Sequence, residues 1–167
     1  MKTPKVALIM GSDSDFETVK PCIKRLKSFG IETVVRIISA HRTPEEAKEF
    51  ASNALENGFD CIIAAAGKAA HLPGVLAAFT TLPVIGLPIK SSTMDGLDSL
   101  LSIVQMPSGI PVATVAINGS DNAAILACQI LALRYEELGE KLKAFKLEMK
   151  KSVEEKDAKI QAMADEV

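Results

Sequence analysis

The sequence predicts an α/β fold in which a parallel sheet is covered by helices on both faces. Three observations carry this. Short β-branched apolar runs alternate along the chain with segments of helical spacing. The runs are apolar almost throughout rather than at every second position, as in strands buried on both faces. And 167 residues, 48% of them hydrophobic, are enough for one domain with a substantial core.

The expected strands are residues 5–10, 33–38, 60–65, 83–87 and 112–117. Helical spacing covers residues 16–29, 44–57, 73–79 and 97–105, and a longer segment begins near Asn122. Thr43-Pro44-Glu45-Glu46 reads as a helix start, with a capping hydroxyl, Pro at the first helical position and Glu at the third. Gly30 and Gly58 stand where the first two helices should stop. Asp121, or Ser120 just before it, is placed to cap the helix that carries Ala123, Ala124, Leu126, Ala127, Ile130 and Leu131.

Composition divides the chain into a core of about residues 5–135 and a helical arm of about residues 136–167, within a single domain of residues 1–167. The arm is rich in Lys and Glu. Leu138, Leu142, Phe145, Met149 and Val153 form a narrow apolar stripe on it. Glu137 with Lys141, and Glu155 with Lys159, have the spacing of favourable helix pairs. The stripe suits docking on a neighbouring subunit as far as Val153, with fraying beyond it.

A net charge of −2 and the absence of Trp argue against a nucleic-acid partner. The apolar run after Pro4, residues 6–10, is too short for a signal peptide or a membrane span. Cys22, Cys61 and Cys128 lie in apolar surroundings without metal-ligand spacing, and read as reduced core thiols of a cytosolic protein.

The residues able to do chemistry cluster after the strands, where an open α/β sheet forms its ligand crevice. Both histidines lie there, His41 after the second strand and His71 after the third. Each moves protons near neutral pH, which points to proton-transfer chemistry; the plainer alternative is one His in a polar loop and one at a turn. After the first strand, Gly11-Ser12-Asp13-Ser14-Asp15 resembles a phosphate cradle, with close backbone approach at Gly11 and hydroxyl donors at Ser12 and Ser14. A tight turn with a helix cap explains it equally well. Two aspartates would repel a phosphate, so one is expected to cap the helix while the other meets sugar hydroxyls. In Ser39-Ala40-His41-Arg42-Thr43, Arg42 offers a planar fork for phosphate, or a surface ion pair with Glu45 or Glu46. The small residues around Gly67, Ala69 and Ala70 let backbone close around something small and flat, and Lys68 interrupts them with a cation. The loop of residues 88–96 reads as polar and flexible. Two histidines without a spaced carboxylate argue against zinc.

Six segments together resemble the PurE family of purine biosynthesis: Gly11-Ser12-Asp13-Ser14-Asp15, Ser39-Ala40-His41-Arg42-Thr43-Pro44, Ala69-Ala70-His71-Leu72-Pro73-Gly74, and residues 98–107, 111–117 and 122–127. The match spans about residues 6–133. The resemblance implies a three-layer, flavodoxin-like αβα sandwich assembled as a homo-octamer in the cytoplasm. It implies the class I activity, an isomerase that moves a carboxylate from the exocyclic nitrogen of a carboxyamino imidazole ribonucleotide to ring carbon four, needing no metal, ATP or biotin. A sister class carboxylates aminoimidazole ribonucleotide directly with carbon dioxide. Arg42 after His41 and the wording Ala-Ala-His-Leu-Pro-Gly favour the mutase; a flavodoxin-like nucleotide sensor is a third, non-catalytic alternative. By position, His41 matches the catalytic histidine and His71 the second loop histidine. Asp15 would hold ribose hydroxyls, and Ser12 and Arg42 would meet the phosphate. Gly11, Ser14, Ser39, Ala40, Gly67, Lys68, Ala69 and Leu72 complete the expected substrate-binding set. Lys68 stands where many family members have Gly.

Overall fold

The computed structural model describes residues 2–166; Met1 and Val167, the two ends of the expected domain, lie outside the described residues. Five strands form one sheet: β1 (Lys5–Met10), β2 (Glu32–Ile37), β3 (Cys61–Gly67), β4 (Val84–Ile89) and β5 (Ala113–Thr114). Their order is β2-β1-β3-β4-β5 and every pair is parallel. Among the described residues six α-helices connect and flank them: α1 (Phe16–Ser28), α2 (Pro44–Asn53), α3 (Leu72–Phe79), α4 (Leu97–Val104), α5 (Ser120–Leu131) and α6 (Glu136–Ala164).

The unbroken apolar strands divide by alternation, because successive side chains leave a strand on opposite faces. Val6, Leu8 and Met10 of β1 join Cys61, Ile63 and Ala65 of β3 in a core with α1, α5 and the start of α6. Ala7 and Ile9 join Ile62, Ala64 and Ala66 in a second core with α2, α3 and Ile103 of α4. Two cores on one sheet make the three-layer αβα sandwich. Chain order reverses at β1, which lies between β2 and β3, and the crevice of such a sheet opens at that switch point.

Several expected boundaries shift, each for a local reason. The fifth strand pairs only over two residues, with Ile85 opposite Ala113 and Gly86 opposite Thr114, rather than over 112–117. Val115 still donates to the Gly86 carbonyl at 3.0 Å, but Pro88 has no N–H to give the edge strand, and the chain turns away. The second helix stops at Asn53 and continues as turns into Gly58, whose φ of +80° suits glycine; Gly30, at +76°, follows α1 in the same way. α3 begins at Leu72 and α5 at Ser120, one and two residues earlier than expected.

The expected caps are replaced. Thr43 makes no side-chain cap; its hydroxyl instead accepts from Ser39 N (3.0 Å) and donates to Ser39 O (3.1 Å), closing the loop before α2. Gly119 occupies the cap position of α5, because Ser120 Oγ donates to the Thr18 carbonyl and Asp121 forms a paired bond with Arg25, at 2.7 and 3.2 Å. Both side chains tie α5 to α1 rather than ending a helix.

On α6, Leu138 is buried and Leu142 and Phe145 pack on the first core, with Phe145 edge-on to Phe29 at 5.9 Å and under the Arg25 guanidinium at 4.4 Å. Lys141 does not pair with Glu137; its ammonium donates to the Phe29 carbonyl at 2.6 Å, where the C-terminal end of α1 leaves an open acceptor. Glu155 and Lys159 form no ion pair among the described residues, whereas Lys150 and Glu154 do, at 3.5 Å. From Lys146 to Ala164 the helix is exposed almost throughout, Met149 and Val153 included. Among the described residues no helix is long and apolar enough to cross a membrane.

Candidate active site

The carboxyl ends of β1 to β4 open on one cavity of about 620 Å³. The loop after β1 contributes Gly11, Ser12, Ser14 and Asp15; the loop after β2 contributes Ser39, Ala40, His41 and Arg42. From β3 and its loop come Ala66, Gly67, Lys68 and Ala69, with Leu72 from α3. Thus all the expected substrate-binding positions line a single space, and His71 joins it through His41. The exit of β4 adds Ile89, Lys90, Ser91 and Ser92, which the sequence reading left out of the site. Their signal was positional: they too follow a strand.

The first loop is organised by hydroxyls. Ser12 accepts from Ser14 N at 3.3 Å and from Ser14 Oγ at 2.9 Å, capping the short 3-10 turn Asp13–Asp15. Asp15 stands at the start of α1 without making a side-chain cap, so neither aspartate does the capping the sequence suggested. Asp15 instead lies in the cavity lining, largely buried. Burial pushes its carboxyl above the usual range, a hydrogen bond from Ser14 opposes this, and the neighbouring Asp13 charge adds to the rise. A half-desolvated acceptor in that place suits sugar hydroxyls, whose donors would replace the missing water.

Arg42 ties two loops together. Its guanidinium donates to the Gly11 carbonyl at 3.1 Å and to Ser39 Oγ at 3.4 Å, and its backbone N–H meets the same hydroxyl at 3.2 Å. The ion pair with Glu45 or Glu46 does not form, since Glu46 pairs with Arg36. The cationic fork therefore sits beside the Gly11-Ser12 turn, where free N–H groups and hydroxyls already favour an anion.

His41 and His71 meet directly. Nε2 of His41 lies 2.9 Å from Nδ1 of His71, with the rings edge-to-face at 81°. His71 is placed by a compact loop: its N–H donates to Ala69 O at 2.8 Å, and Ala70 N donates to Lys68 O at 2.8 Å. That loop holds Lys68 at φ +54°, a left-handed conformation that costs a non-glycine residue about 1 kcal/mol. Such strain concentrates at sites whose shape is fixed by function.

Among the described residues no three His, Cys, Asp or Glu side chains gather into a group that could hold a metal ion. The cysteines take no part in the site: burial pushes Cys22 and Cys61 up to about 12 and Cys128 to about 11, leaving them as neutral core thiols.

The chain is similar to known proteins in sequence and in fold. A family model described as AIR carboxylase matches residues 5–152. A Pyrococcus horikoshii protein named N5-carboxyaminoimidazole ribonucleotide mutase is 57% identical over 160 residues, covering 96% of this chain and 90% of that one. A Candida glabrata protein named phosphoribosylaminoimidazole carboxylase is 48% identical over 166 residues, which are 99% of this chain but only 29% of the fungal protein. The crystal structure of Treponema denticola PurE is similar with a TM-score of 0.83 at 33% identity, covering 93% of this chain and 98% of that one.

Proposed function

The chain belongs to the AIR carboxylase family, the PurE family of its sequence motifs, and from that premise we propose that it is a mutase of purine biosynthesis. It converts 5-(carboxyamino)imidazole ribonucleotide to 4-carboxy-5-aminoimidazole ribonucleotide, an isomerisation. The similarity to a whole-length mutase at 57% identity supports this over direct carboxylation, since the fungal carboxylase is matched over under a third of its length.

The reaction needs two proton movements of opposite sense. The exocyclic nitrogen takes up a proton as its bond to the carboxylate breaks and carbon dioxide leaves. The ring carbon then forms its bond to carbon dioxide and gives up a proton, so the proton count closes. In this reading one imidazole, His41, serves both steps, as acid and then base. The observation that carries it is the 2.9 Å bond from His41 to His71 on a cavity that also holds the Arg42 fork. His71 offers the proton a second nitrogen between the two steps and holds the His41 ring in place. Ser12 and Arg42 take the phosphate and Asp15 the ribose hydroxyls, with Gly11, Ser14, Ser39 and Ala40 shaping that end. Gly67, Lys68, Ala69 and Leu72 wall the other end, where the small side chains of Gly67 and Ala69 leave space for carbon dioxide beside the apolar Leu72.

The same proposal includes a homo-octamer in the cytoplasm. Leu97, Leu101 and Val104 of α4 stay exposed, as does the outer half of α6, which supports burial between subunits. The test is turnover of the carboxyamino substrate by the wild type and by His41→Asn, without ATP or metal. Loss of about 100-fold or more in kcat with nucleotide binding kept is expected. Normal turnover by the variant, or turnover only of aminoimidazole ribonucleotide with bicarbonate, would overturn the reading.

A further inference from the structure

The exit of β4 is a wall of the cavity that carries an exposed cation, Lys90, and it is held from outside the cavity. Asn118, in the loop between β5 and α5, does not line the space. Its side-chain oxygen accepts from the Lys90 backbone N–H at 2.8 Å, and its own N–H donates to the Pro88 carbonyl at 2.8 Å. One residue therefore grips β4 on both sides of Ile89, at the point where the strand enters the cavity. Asn118 can do this because it sits at φ +57°, a left-handed conformation that Asn adopts more readily than most residues. On the β5 side the grip extends the ladder, since pairing with β5 ends two residues before Pro88; from α4, Ser99 Oγ donates to the Ile89 carbonyl at 2.7 Å.

The Lys90 ammonium rests on Asp95 at 3.1 Å and is more than half exposed. Lys90 lines the cavity that, on the mutase reading, takes a substrate with two anionic groups, a phosphate and a carboxylate. Arg42 already donates to Gly11 and Ser39. We propose that Asn118 is a positioning residue that holds the Lys90 wall so that its ammonium meets an anionic group of the ribonucleotide. The inference rests on the mutase reading. An interaction with a part of the substrate that does not react lowers ground state and transition state alike, so it acts on KM and leaves kcat alone.

The experiment is a cycle of Asn118→Gly, Lys90→Ala and the double variant, with steady-state turnover of the carboxyamino ribonucleotide. Glycine keeps the left-handed backbone and removes only the acceptor. Losing one positioning hydrogen bond should raise KM about three- to tenfold with kcat within about twofold of wild type. If Asn118 acts through Lys90, adding Asn118→Gly to Lys90→Ala raises KM no further. A merely structural role would lower kcat through the folded fraction and leave KM unmoved, which overturns the inference, as do multiplicative effects in the double variant. A wild type that does not turn over the substrate overturns the mutase reading and this inference together; wild-type turnover with an unaltered KM in Asn118→Gly overturns this inference alone.

Discussion

His41 and His71 share one hydrogen bond although they are 30 residues apart in sequence and sit on loops after different strands. Nε2 of one ring and Nδ1 of the other are 2.9 Å apart, so one nitrogen holds the hydrogen and the other accepts it. The ring of His41 is thereby fixed in orientation, and the tautomer of each ring is tied to that of the other, as a base poised to act in two directions requires. The expected consequence is that His71→Asn lowers kcat by up to about 100-fold, the low end of what an acid–base group supplies, with KM little changed. Steady-state kinetics decide it; a kcat equal to wild type would show that His41 needs no partner.

Asp15 makes a prediction about pH. Its carboxyl is raised above 3.8, mainly by burial, so the folded state binds its proton more tightly than the unfolded chain. Between 3.8 and the raised value stability falls as pH rises, and above that window the penalty of the buried charge is constant. Asp15→Asn should therefore melt at a higher temperature than wild type at pH 7, with the advantage fading as pH approaches 3.8. The same variant should bind the ribonucleotide less tightly, a site residue giving up stability for function. Melting curves across pH check the first part and KM the second. A variant less stable at pH 7 would show that Ser14 and solvent more than compensate the burial.

The layers and the crevice were legible because they follow from periodicity and chain order: apolar runs at 5–10 and 60–65, alternating with helical segments, read as parallel strands buried on both faces, and loops after such strands meet at one edge. The gathering of Gly11, His41, Arg42 and Lys68 around one cavity follows from that arrangement. The contacts of individual polar side chains were not legible. Thr43, Ser120 and Asp121 have the residue types of helix caps, but each found a partner distant in sequence or a loop to close. Lys141 was drawn to the carbonyl of Phe29, more than a hundred residues away, rather than to Glu137 one turn before it. The Lys90 wall was missed because a loop of Ser, Thr and Lys reads as solvent-facing until Asn118 and Asp98 are seen to hold it, Ser91 Oγ meeting Asp98 at 3.0 Å.

Gly86 shows how closely α4 rides on the sheet. A Cβ at that position would lie 2.3 Å from Ile103 Cγ2 and 2.9 Å from Val112 Cγ1, well inside contact distance. Ile103 is wholly buried, so it has little room to yield. Gly86→Ala should destabilise the fold by about 1–3 kcal/mol through overpacking, read as a lower urea midpoint at unchanged slope. An unchanged midpoint would mean that α4 moves freely on β4.

The two halves of α6 should separate experimentally. Leu138, Leu142 and Phe145 pack on the first core, so removing the arm from residue 136 onward would uncover part of that core and confound folding with assembly. Beyond Glu148, Met149, Val153, Ile160 and Met163 recur at helical spacing and are all exposed. In a single chain that stripe stabilises nothing, while burying one such side chain against a second subunit contributes about 1.5–3 kcal/mol. A chain ending at Glu148 should therefore keep the thermal melting of its core at low protein concentration but lose assembly. Light scattering would show a lower mass at concentrations where the full chain is assembled. An unchanged mass would assign the subunit contacts elsewhere, with the exposed Leu97, Leu101 and Val104 of α4 the next surface to substitute.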